Sequence, residues 1–272
     1  MTRAIDVVIV SHNTRDDLGA CLRSLASLDR PPFDRVIVVD NASTDGSVEM
    51  LRRDWPQVDL VGLGENVGFG AANNVGIRRA TAPLVLLLNA DTVVPAGAIE
   101  ALAARLDATG AVAAGPRLVD RAGRPELSFG PMLSPLGEAR QWIRQGLARS
   151  SGTVARRLTA RLVARERVVD WVTAACCLVV RQAAVDAGLF DERYFMYEED
   201  VDLCAAMRAR GGRILFTPAA EVVHARGASS RTNPGATRRH YDVSHQRYYE
   251  KHHPGWARLL ALWKRVRGRA IR

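Results

Sequence analysis

A continuous apolar run ends abruptly at an amide and a carboxylate near residue 90. Five apolar residues follow Pro83, and Asn89, Ala90 and Asp91 come directly after them. Such a run is typical of a strand buried on both faces, as in the centre of a parallel sheet. Because ligands of open α/β sheets bind beyond the carboxyl ends of the strands, Asp91 would lie where a metal ion or a phosphate group binds. The alternative is an ordinary turn in which Asp91 caps the segment after Pro95.

The first half of the chain alternates strand-like and helix-like patterns. Apolar runs at 5–10, 35–39, 58–61 and 84–88 alternate with helical periodicity at 16–28 and 48–55, and with a glycine-rich turn at 65–70 that leads into a third helix. This order predicts an α/β fold with a parallel sheet and helical crossovers. Polar residues follow the first, second and fourth runs, namely Asn13, Asp40, Asn89 and Asp91. The carboxyl ends of parallel strands share one edge, so these side chains are expected to form a site.

The composition is that of a globular protein with a large positive charge. The 272 residues are 47% apolar and 25% charged, which allows one large domain or a domain with an extension. The net charge of +9 and the pI near 10.1 indicate an anionic partner: nucleic acid, anionic lipid or an anionic substrate.

The cysteine content and the hydropathy of the chain indicate its cellular compartment. The four cysteines show no metal-binding spacing, so we expect reduced thiols in the cytoplasm. The apolar run after Met1 is too short for a signal peptide. No run approaches about 18 apolar residues, so a membrane-spanning segment is not expected.

Two basic amphipathic segments lie in the second half. Arginines alternate with apolar residues across 138–167, which predicts one or two helices around 150–152 with either a solvated face or a surface for anionic lipid or diphosphate. Near the end of the chain, one helical face is predicted to carry Trp256, Leu259, Leu260, Trp263 and Val266. Basic residues surround that face, namely Arg258, Lys264, Arg265, Arg267, Arg269 and Arg272. This face either packs on the domain or lies in a membrane interface.

Acidic residues crowd the predicted start of one helix. Glu198, Glu199, Asp200 and Asp202 suit the positive end of the helix dipole, but they also repel one another. Such crowding is tolerated where a cation compensates it or where a raised pKa is useful. His224 ends a later strand-like run and is either a structural histidine or, with carboxylate and diphosphate oxygens, a ligand for an ion such as Mn²⁺.

An ordered set of motifs spans roughly residues 5–230. The motifs are Val10-Ser11-His12-Asn13-Thr14, Val39-Asp40-Asn41-Ala42-Ser43-Thr44-Asp45-Gly46, Glu65-Asn66-Val67-Gly68-Phe69, Leu88-Asn89-Ala90-Asp91-Thr92, Phe190-Asp191-Glu192, Tyr197-Glu198-Glu199-Asp200-Val201-Asp202-Leu203 and His224. Together they resemble the family 2 inverting glycosyltransferases of the GT-A fold, especially the rhamnosyltransferase-like branch. That fold is Rossmann-like, with a mainly parallel central sheet flanked by helices.

The resemblance implies a role for each matching residue. Asp40 would receive the nucleobase, Asp91 and His224 would bind a divalent metal, and Asp200 would be the catalytic base, with Glu199 beside it. The nucleotide-sugar would be bound by Ser11, Asn13, Asp40, Asn66, Asn89, Ala90 and Asp91, and the acceptor side would comprise Trp171, Thr173, Ala174 and Ala175. Asn89 stands where the family's Asp-x-Asp motif begins with aspartate, and Ala174 replaces a glycine.

The same resemblance implies an activity and an organisation. The enzyme would move a sugar with inversion, our first expectation being rhamnose from dTDP-rhamnose rather than a UDP-sugar, to a polyprenyl-diphosphate-linked or cell-surface glycan. The cofactor would be Mn²⁺ or Mg²⁺. A GT-A domain would occupy 1–231, with a nucleotide-sugar half at 1–115 and an acceptor half at 116–231, and a basic helical extension would follow at 232–272. We expect a cytoplasmic protein, peripheral at the anionic inner leaflet of the plasma membrane.

Two other classes remain open from the residues alone. A nucleotidyltransferase acting on sugar phosphates could use the same sheet and a metal, but it usually carries a glycine-rich basic loop after the first strand, and residues 11–14 contain no glycine. A nucleic-acid-binding protein would explain the charge of +9. However, the basic residues cluster away from the polar strand ends, so we expect no nucleic acid partner.

Overall fold

A computed structural model describes residues 3–149, 152–225 and 234–266. The strands are β1 (Ile5–Ser11), β2 (Arg35–Asp40), β3 (Asp59–Gly62), β4 (Leu84–Asn89), β5 (Thr92–Val93), β6 (Ala113–Val119), β7 (Phe129–Gly130), β8 (Arg167–Val169), β9 (Trp171–Val172), β10 (Cys176–Val180) and β11 (Ile214–His224). The helices are α1 (Arg15–Ala26), α2 (Ser47–Asp54), α3 (Phe69–Arg79), α4 (Ala98–Thr109), α5 (Pro135–Arg149), α6 (Thr153–Val163), α7 (Arg181–Asp186), α8 (Glu199–Ala209), α9 (Pro234–His252) and α10 (Pro254–Val266).

The first half of the chain forms the predicted parallel sheet. Its strands follow the order β3-β2-β1-β4, and all neighbours in this half are parallel. Val8 in the centre of β1 pairs with Ile37 on one side and with Leu87 on the other. The carboxyl ends of β1, β2 and β4 therefore lie along one edge, as the α/β prediction requires.

The sheet continues as a mixed sheet in the second half. β10 runs antiparallel to both β4 and β6, and β6 runs parallel to β11, which carries the short antiparallel strands β5 and β8. β10 therefore joins the two halves of the sheet across 176–180. The sequence predicted only a buried apolar stretch in this region, because its periodicity does not reveal strand direction.

Helices cover both faces of the sheet. Leu84, Leu86 and Leu88 of β4 face the cluster that includes α1 and α4, whereas Val85 and Leu87 face the cluster that includes α3 and α8. β4 is thus buried on both faces, as its unbroken apolar sequence predicts. Full burial of one such side chain contributes about 1.5–3 kcal/mol to stability, so these five positions fix the centre of the fold.

The carboxyl-terminal helices pack on residues of the second half of the chain through a third core cluster. Leu133, Tyr194, Tyr248 and Ala257 are buried together there. Asp202, which is itself buried, accepts hydrogen bonds from Lys251 Nζ at 2.8 Å and from His252 Nε2 at 2.6 Å. The last acid of the crowded cluster therefore anchors α9.

The face by which α10 packs differs from the apolar face predicted from sequence. Ala257 and Lys264 are buried and Leu260 is half-buried, whereas the other predicted positions, Trp256, Leu259, Trp263 and Val266, are exposed. Lys264 does not surround the apolar face as predicted, because its Nζ is buried and donates to the Asp242 carbonyl at 2.6 Å. The predicted basic residues Arg267, Arg269 and Arg272 lie outside the described residues.

Cys21, Cys176, Cys177 and Cys204 are all buried free thiols. Within the described ranges, none of the helices has the length and hydropathy needed to cross a bilayer.

Candidate active site

A cleft of about 990 Å³ opens where β1 and β4 end. One wall comes from the loops that follow these strands, and the other comes from α5, the loop before α8, and α9. Most of the predicted site residues line it: Asn13, Asn66, Asn89, Ala90, Asp91, Trp171, Thr173, Ala174, Ala175, Glu199, Asp200 and His224. The remaining two, Ser11 and Asp40, are buried and do not line the cleft.

An amide holds the glycine-rich turn against the end of β2. Asn41 Nδ2 donates to Asn66 Oδ1 at 2.9 Å, and Asn41 Oδ1 accepts from the Val67 N–H at 3.0 Å. Gly68, at φ 92°, approaches the other wall so closely that a Cβ would lie 2.5 Å from the Phe195 carbonyl oxygen. The glycine is therefore required for this contact between the two walls.

Asp40 has one unpaired oxygen just behind this turn. Its Oδ2 accepts from the Ser43 N–H at 2.9 Å. Its Oδ1 is buried and has no hydrogen-bond partner in the described part of the chain. A buried acceptor left unpaired is costly, so a ligand N–H that reached this oxygen would bind favourably and selectively.

His224 bridges two carboxylates at the end of β11. Its Nε2 lies 3.3 Å from Asp91 Oδ1, and its Nδ1 lies 3.1 Å from Glu126 Oε2. Burial alone would lower the pKa of His224, but hydrogen bonds and charge from the two carboxylates outweigh burial and raise it to about 9. Glu126 also fixes the orientation of the ring, as outer partners of metal-binding histidines do.

The residues at this end of the cleft fit a divalent metal ion. Asp91 supplies a carboxylate, and His224 can supply Nε2 on the same side once its ring loses the proton that the two carboxylates stabilise, while the neighbouring Asn89 Oδ1 is buried and has no partner among the described residues. Oxygen and imidazole ligands suit Mn²⁺, and Mg²⁺ accepts such a site when substrate oxygens complete it. Across residues 3–149, 152–225 and 234–266, no three histidine, cysteine or acidic side chains are placed to hold one ion. Glu126 in particular faces the opposite ring nitrogen of His224.

The cleft is acidic although the protein is basic. The acids that line it are Asp91, Glu126, Glu138, Glu198, Glu199 and Asp200. Neither lysine nor arginine occurs among the described residues that line it. A ligand that carries phosphate groups would therefore need a cation to balance its charge in this cleft.

Asp200 is placed to accept a proton. It is half-buried and accepts hydrogen bonds from the Ala174 N–H at 3.2 Å and the Val201 N–H at 2.8 Å, with a further bond from the Thr173 hydroxyl. Burial raises the pKa of this carboxyl by more than these hydrogen bonds lower it. A raised pKa makes the carboxylate a stronger general base.

The two glutamates before Asp200 are buried, and their pKa values are raised. Burial, together with the charge of Asp200, raises the pKa of Glu199 well above its usual range. Burial and the charges of Asp200 and Glu138 raise the pKa of Glu198 to about 8. Protonation of the two glutamates would leave fewer negative charges beside Asp200, whose own pKa is raised as well.

The segment 173–175 connects the loop after β4 with Asp200. The Asn89 N–H donates to the Ala175 carbonyl at 2.9 Å, and the Ala174 N–H donates to Asp200 Oδ2. The Ala174 methyl group, which replaces the family's glycine, packs in the core cluster beneath the cleft. Trp171 is fixed by a bond of 2.8 Å from its Nε1 to the Pro131 carbonyl.

The sequence did not reveal two elements of the cleft. One face of α5 lines it with residues at helical spacing, namely Glu138, Gln141, Trp142 and Gln145. From α9 come Ala236, Thr237, His240 and Tyr241. The spacing on α5 is visible in the sequence, but the many arginines of this segment pointed to its solvent face instead.

Comparison with protein families and relatives gives one consistent group. The family model for glycosyl transferase family 2 matches residues 6–182. An N-acetylglucosaminyl-diphospho-decaprenol L-rhamnosyltransferase of Mycobacterium tuberculosis is 33% identical over 97% of this chain and 89% of its own length.

Solved structures with the same architecture include two nucleotide-bound proteins. GalNAc-T7, solved with UDP, GalNAc and Mn²⁺, superposes with a TM-score of 0.60 at 17% identity, over 82% of this chain and 44% of its own. A mannosyltransferase of Pyrobaculum calidifontis, solved with GDP-Man and Mn²⁺, gives a TM-score of 0.58 at 18% identity, over 96% of this chain and 68% of its own. At these identities, the likeness concerns the fold alone.

Proposed function

The chain belongs to glycosyl transferase family 2, and from this membership we propose that it transfers a sugar with inversion from a nucleotide-sugar to a lipid-linked acceptor. Its fold is the predicted GT-A fold, and it is a glycosyltransferase of the hexosyltransferase type. Membership in this family decides against the two other classes that the sequence left open, a nucleotidyltransferase and a nucleic-acid-binding protein.

One observation carries the proposal of inversion. Asp91, His224 and Asp200 line a single cleft, and residues 174–175 form hydrogen bonds both with Asn89 and with Asp200. In-line displacement needs the leaving diphosphate and the proton acceptor on opposite sides of the sugar. The arrangement provides a separate carboxylate for each task.

Each residue then has a defined task. Asp91 and His224 would hold the divalent metal, which when bound neutralises charge on the departing diphosphate. Asp200 would accept the proton of the acceptor hydroxyl, and the N–H groups of Ala174 and Val201 keep its carboxylate oriented. The direct attack of that hydroxyl on the anomeric carbon inverts the configuration.

The donor and the acceptor are proposed from the relatives. We infer rhamnose from dTDP-rhamnose, with UDP-sugars as the alternative donors, and a polyprenyl-diphosphate-linked N-acetylglucosamine as the acceptor. The name of the mycobacterial relative supports this acceptor class. Release of nucleoside diphosphate from UDP-, dTDP- and GDP-sugars, with and without such an acceptor, tests the proposal. Failure of every donor, or a preference for GDP-sugars, would contradict it.

The unpaired oxygen of Asp40 predicts how the nucleobase of the donor is recognised. Replacing Asp40 by Ala should raise the donor KM about tenfold and weaken discrimination between bases, because a buried acceptor contributes strongly to selectivity. Asp40→Asn retains a side-chain oxygen that can accept from the Ser43 N–H, and it serves as the control for local structure. An unchanged donor KM together with an unchanged base preference for Asp40→Ala would remove Asp40 from the site.

We propose that the halves 1–115 and 116–231 serve donor and acceptor, and that 232–272 holds the enzyme at the anionic inner leaflet of the plasma membrane. The exposed apolar side chains Trp256, Leu259, Trp263 and Val266 on α10 support the membrane contact. So do Leu136 and Ile143 of α5, which are also exposed. Tryptophans on an apolar face flanked by arginines are typical of helices that lie in the interface.

Liposome sedimentation tests the membrane contact without truncating a packed helix. The double variant Trp256→Ser/Trp263→Ser should bind anionic vesicles at least about tenfold more weakly than wild type, because two exposed apolar anchors are lost. Binding of the wild type should fall as salt increases, since each basic residue near the leaflet contributes about 1 kcal/mol. Val185→Ala, at an exposed apolar position on α7, is the matched control. Equal partitioning of wild type and double variant would show that the face has another role.

A further inference from the structure

Three exposed aromatic rings line the same side of the cleft. Trp142 of α5 is 77% exposed, Tyr241 of α9 is 42% exposed, and Tyr197 in the loop before α8 is 36% exposed. Aromatic residues make up only 6% of the chain, and large rings are normally withdrawn from water. Three exposed rings at one cleft therefore indicate a binding surface.

The packing of α5 against α9 brings these rings together. The contacts Leu133 to His253, and Glu138 to Tyr249 and His245, show that α9 runs antiparallel to α5. From this antiparallel register we infer that Trp142 faces the turn of α9 that carries Tyr241, because each residue is four positions from the Glu138–His245 pair. Tyr241 in turn meets Tyr197 edge to face, with ring centroids 5.8 Å apart at 72°.

The position of Tyr197 is fixed at some conformational cost. Tyr197 and Glu198 have φ of 71° and 67°, a left-handed conformation that residues other than glycine rarely adopt. The Ser244 hydroxyl of α9 donates to the Met196 carbonyl at 2.7 Å, and His240 stacks on Phe195 at 4.4 Å. Strain maintained by surrounding contacts is typical of functional sites.

We propose that Trp142, Tyr197 and Tyr241 form a platform for the sugar ring of the acceptor. One face of a pyranose presents C–H groups that pack on an aromatic ring, while its hydroxyls need polar partners at the rim. The same wall supplies such partners in Glu138, Gln141 and Gln145. Asp200 follows Tyr197 by three residues and lines the same cleft. This inference rests on the proposed function and adds the residues that select the acceptor.

A sugar fits this wall better than the other parts of the substrates. A polyprenyl chain offers no polar group to the buried Gln141 Oε1, which has no partner among the described residues, and an acceptor left unpaired costs free energy. A nucleobase would need the unpaired acceptor of Asp40, which lies behind the opposite wall, at the end of β2. The platform is therefore assigned to the acceptor and not to the donor.

Paired substitutions test the platform. Tyr241→Ala and Trp142→Ala should each raise the KM for N-acetylglucosamine diphosphate carrying a short, soluble prenyl chain about tenfold. Tyr241→Phe and Trp142→Phe, which keep a ring, should stay close to wild type. The donor KM and the slow, acceptor-independent hydrolysis of the donor should not change in any of the four variants.

A direct binding measurement separates this inference from the proposed function. In saturation-transfer NMR the C–H protons of the sugar ring should receive the strongest saturation from wild type and lose it in the alanine variants. Wild-type acceptor KM in the alanine variants, or saturation of the prenyl chain alone, would overturn the platform while transfer persisted. Ring-dependent binding without release of nucleoside diphosphate from any donor would instead overturn the proposed function.

Discussion

Replacing Asp200 by Asn should reduce sugar transfer by at least about 10²-fold while donor binding stays nearly unchanged. The amide has the shape of the carboxylate, and its single oxygen can still accept one of the two N–H groups, from Ala174 or from Val201, that the two oxygens of Asp200 accept. It cannot accept a proton from the acceptor hydroxyl. Single-turnover transfer and equilibrium binding of the donor, measured on the same preparation, separate the two effects.

Glu199→Gln provides the matched control for this variant. Burial and the charge of Asp200 raise the pKa of Glu199 well above its usual range, so the native side chain favours its neutral form more than a free glutamate does. Glutamine is nearly isosteric with it, and we expect a much smaller loss of transfer than for Asp200→Asn.

The pH profile supplies a second readout for the same residue. Burial raises the pKa of Asp200, so wild-type turnover should increase with pH as this carboxyl loses its proton. The fall in turnover at low pH that is assigned to Asp200 should be absent from the pH profile of Asp200→Asn. Retention of more than about a tenth of wild-type turnover in that variant would show that another group is the base.

The sequence predicted best those parts of the fold that depend on local periodicity. β4 is an unbroken apolar run because both faces of the strand are buried, so its position and burial could be predicted from five consecutive residues. The antiparallel direction of β10 could not, because an apolar run pairs equally well in either direction.

Long-range contacts explain which features of the candidate site could not be predicted from the sequence. Asp202 belongs by sequence to the acidic cluster, yet its partners are Lys251 and His252, about fifty positions away. Tyr241 lines the cleft because α9 folds back along α5, which no local pattern indicates. The acids that line the cleft were recognisable as a group, but only the packing shows which are held neutral.

Replacing Asp91 by Ala should lower kcat/KM at least about 10²-fold in the presence of Mn²⁺ or Mg²⁺, with most of the loss in donor binding. The cleft has no lysine or arginine among its described lining residues, so little else there balances the charge of a diphosphate. His224→Ala should cost less, about tenfold, because imidazole contributes no negative charge to the site. Asp91→Asn preserves the shape of the side chain and controls for misfolding.

Metal binding itself distinguishes this assignment from a purely structural role for the two residues. Electron paramagnetic resonance of Mn²⁺ in the presence of nucleoside diphosphate should show tight binding by wild type, weak binding by His224→Ala and almost none by Asp91→Ala. Glu126→Gln should weaken binding about tenfold, because Glu126 orients the His224 ring through Nδ1 without facing the metal side. Full activity of the wild type in excess chelator would reject the metal assignment for Asp91 and His224 together. In that case the acidic cleft must admit the diphosphate by other means, and the basic segments outside the described residues, 226–233 and 267–272, become the next positions to substitute.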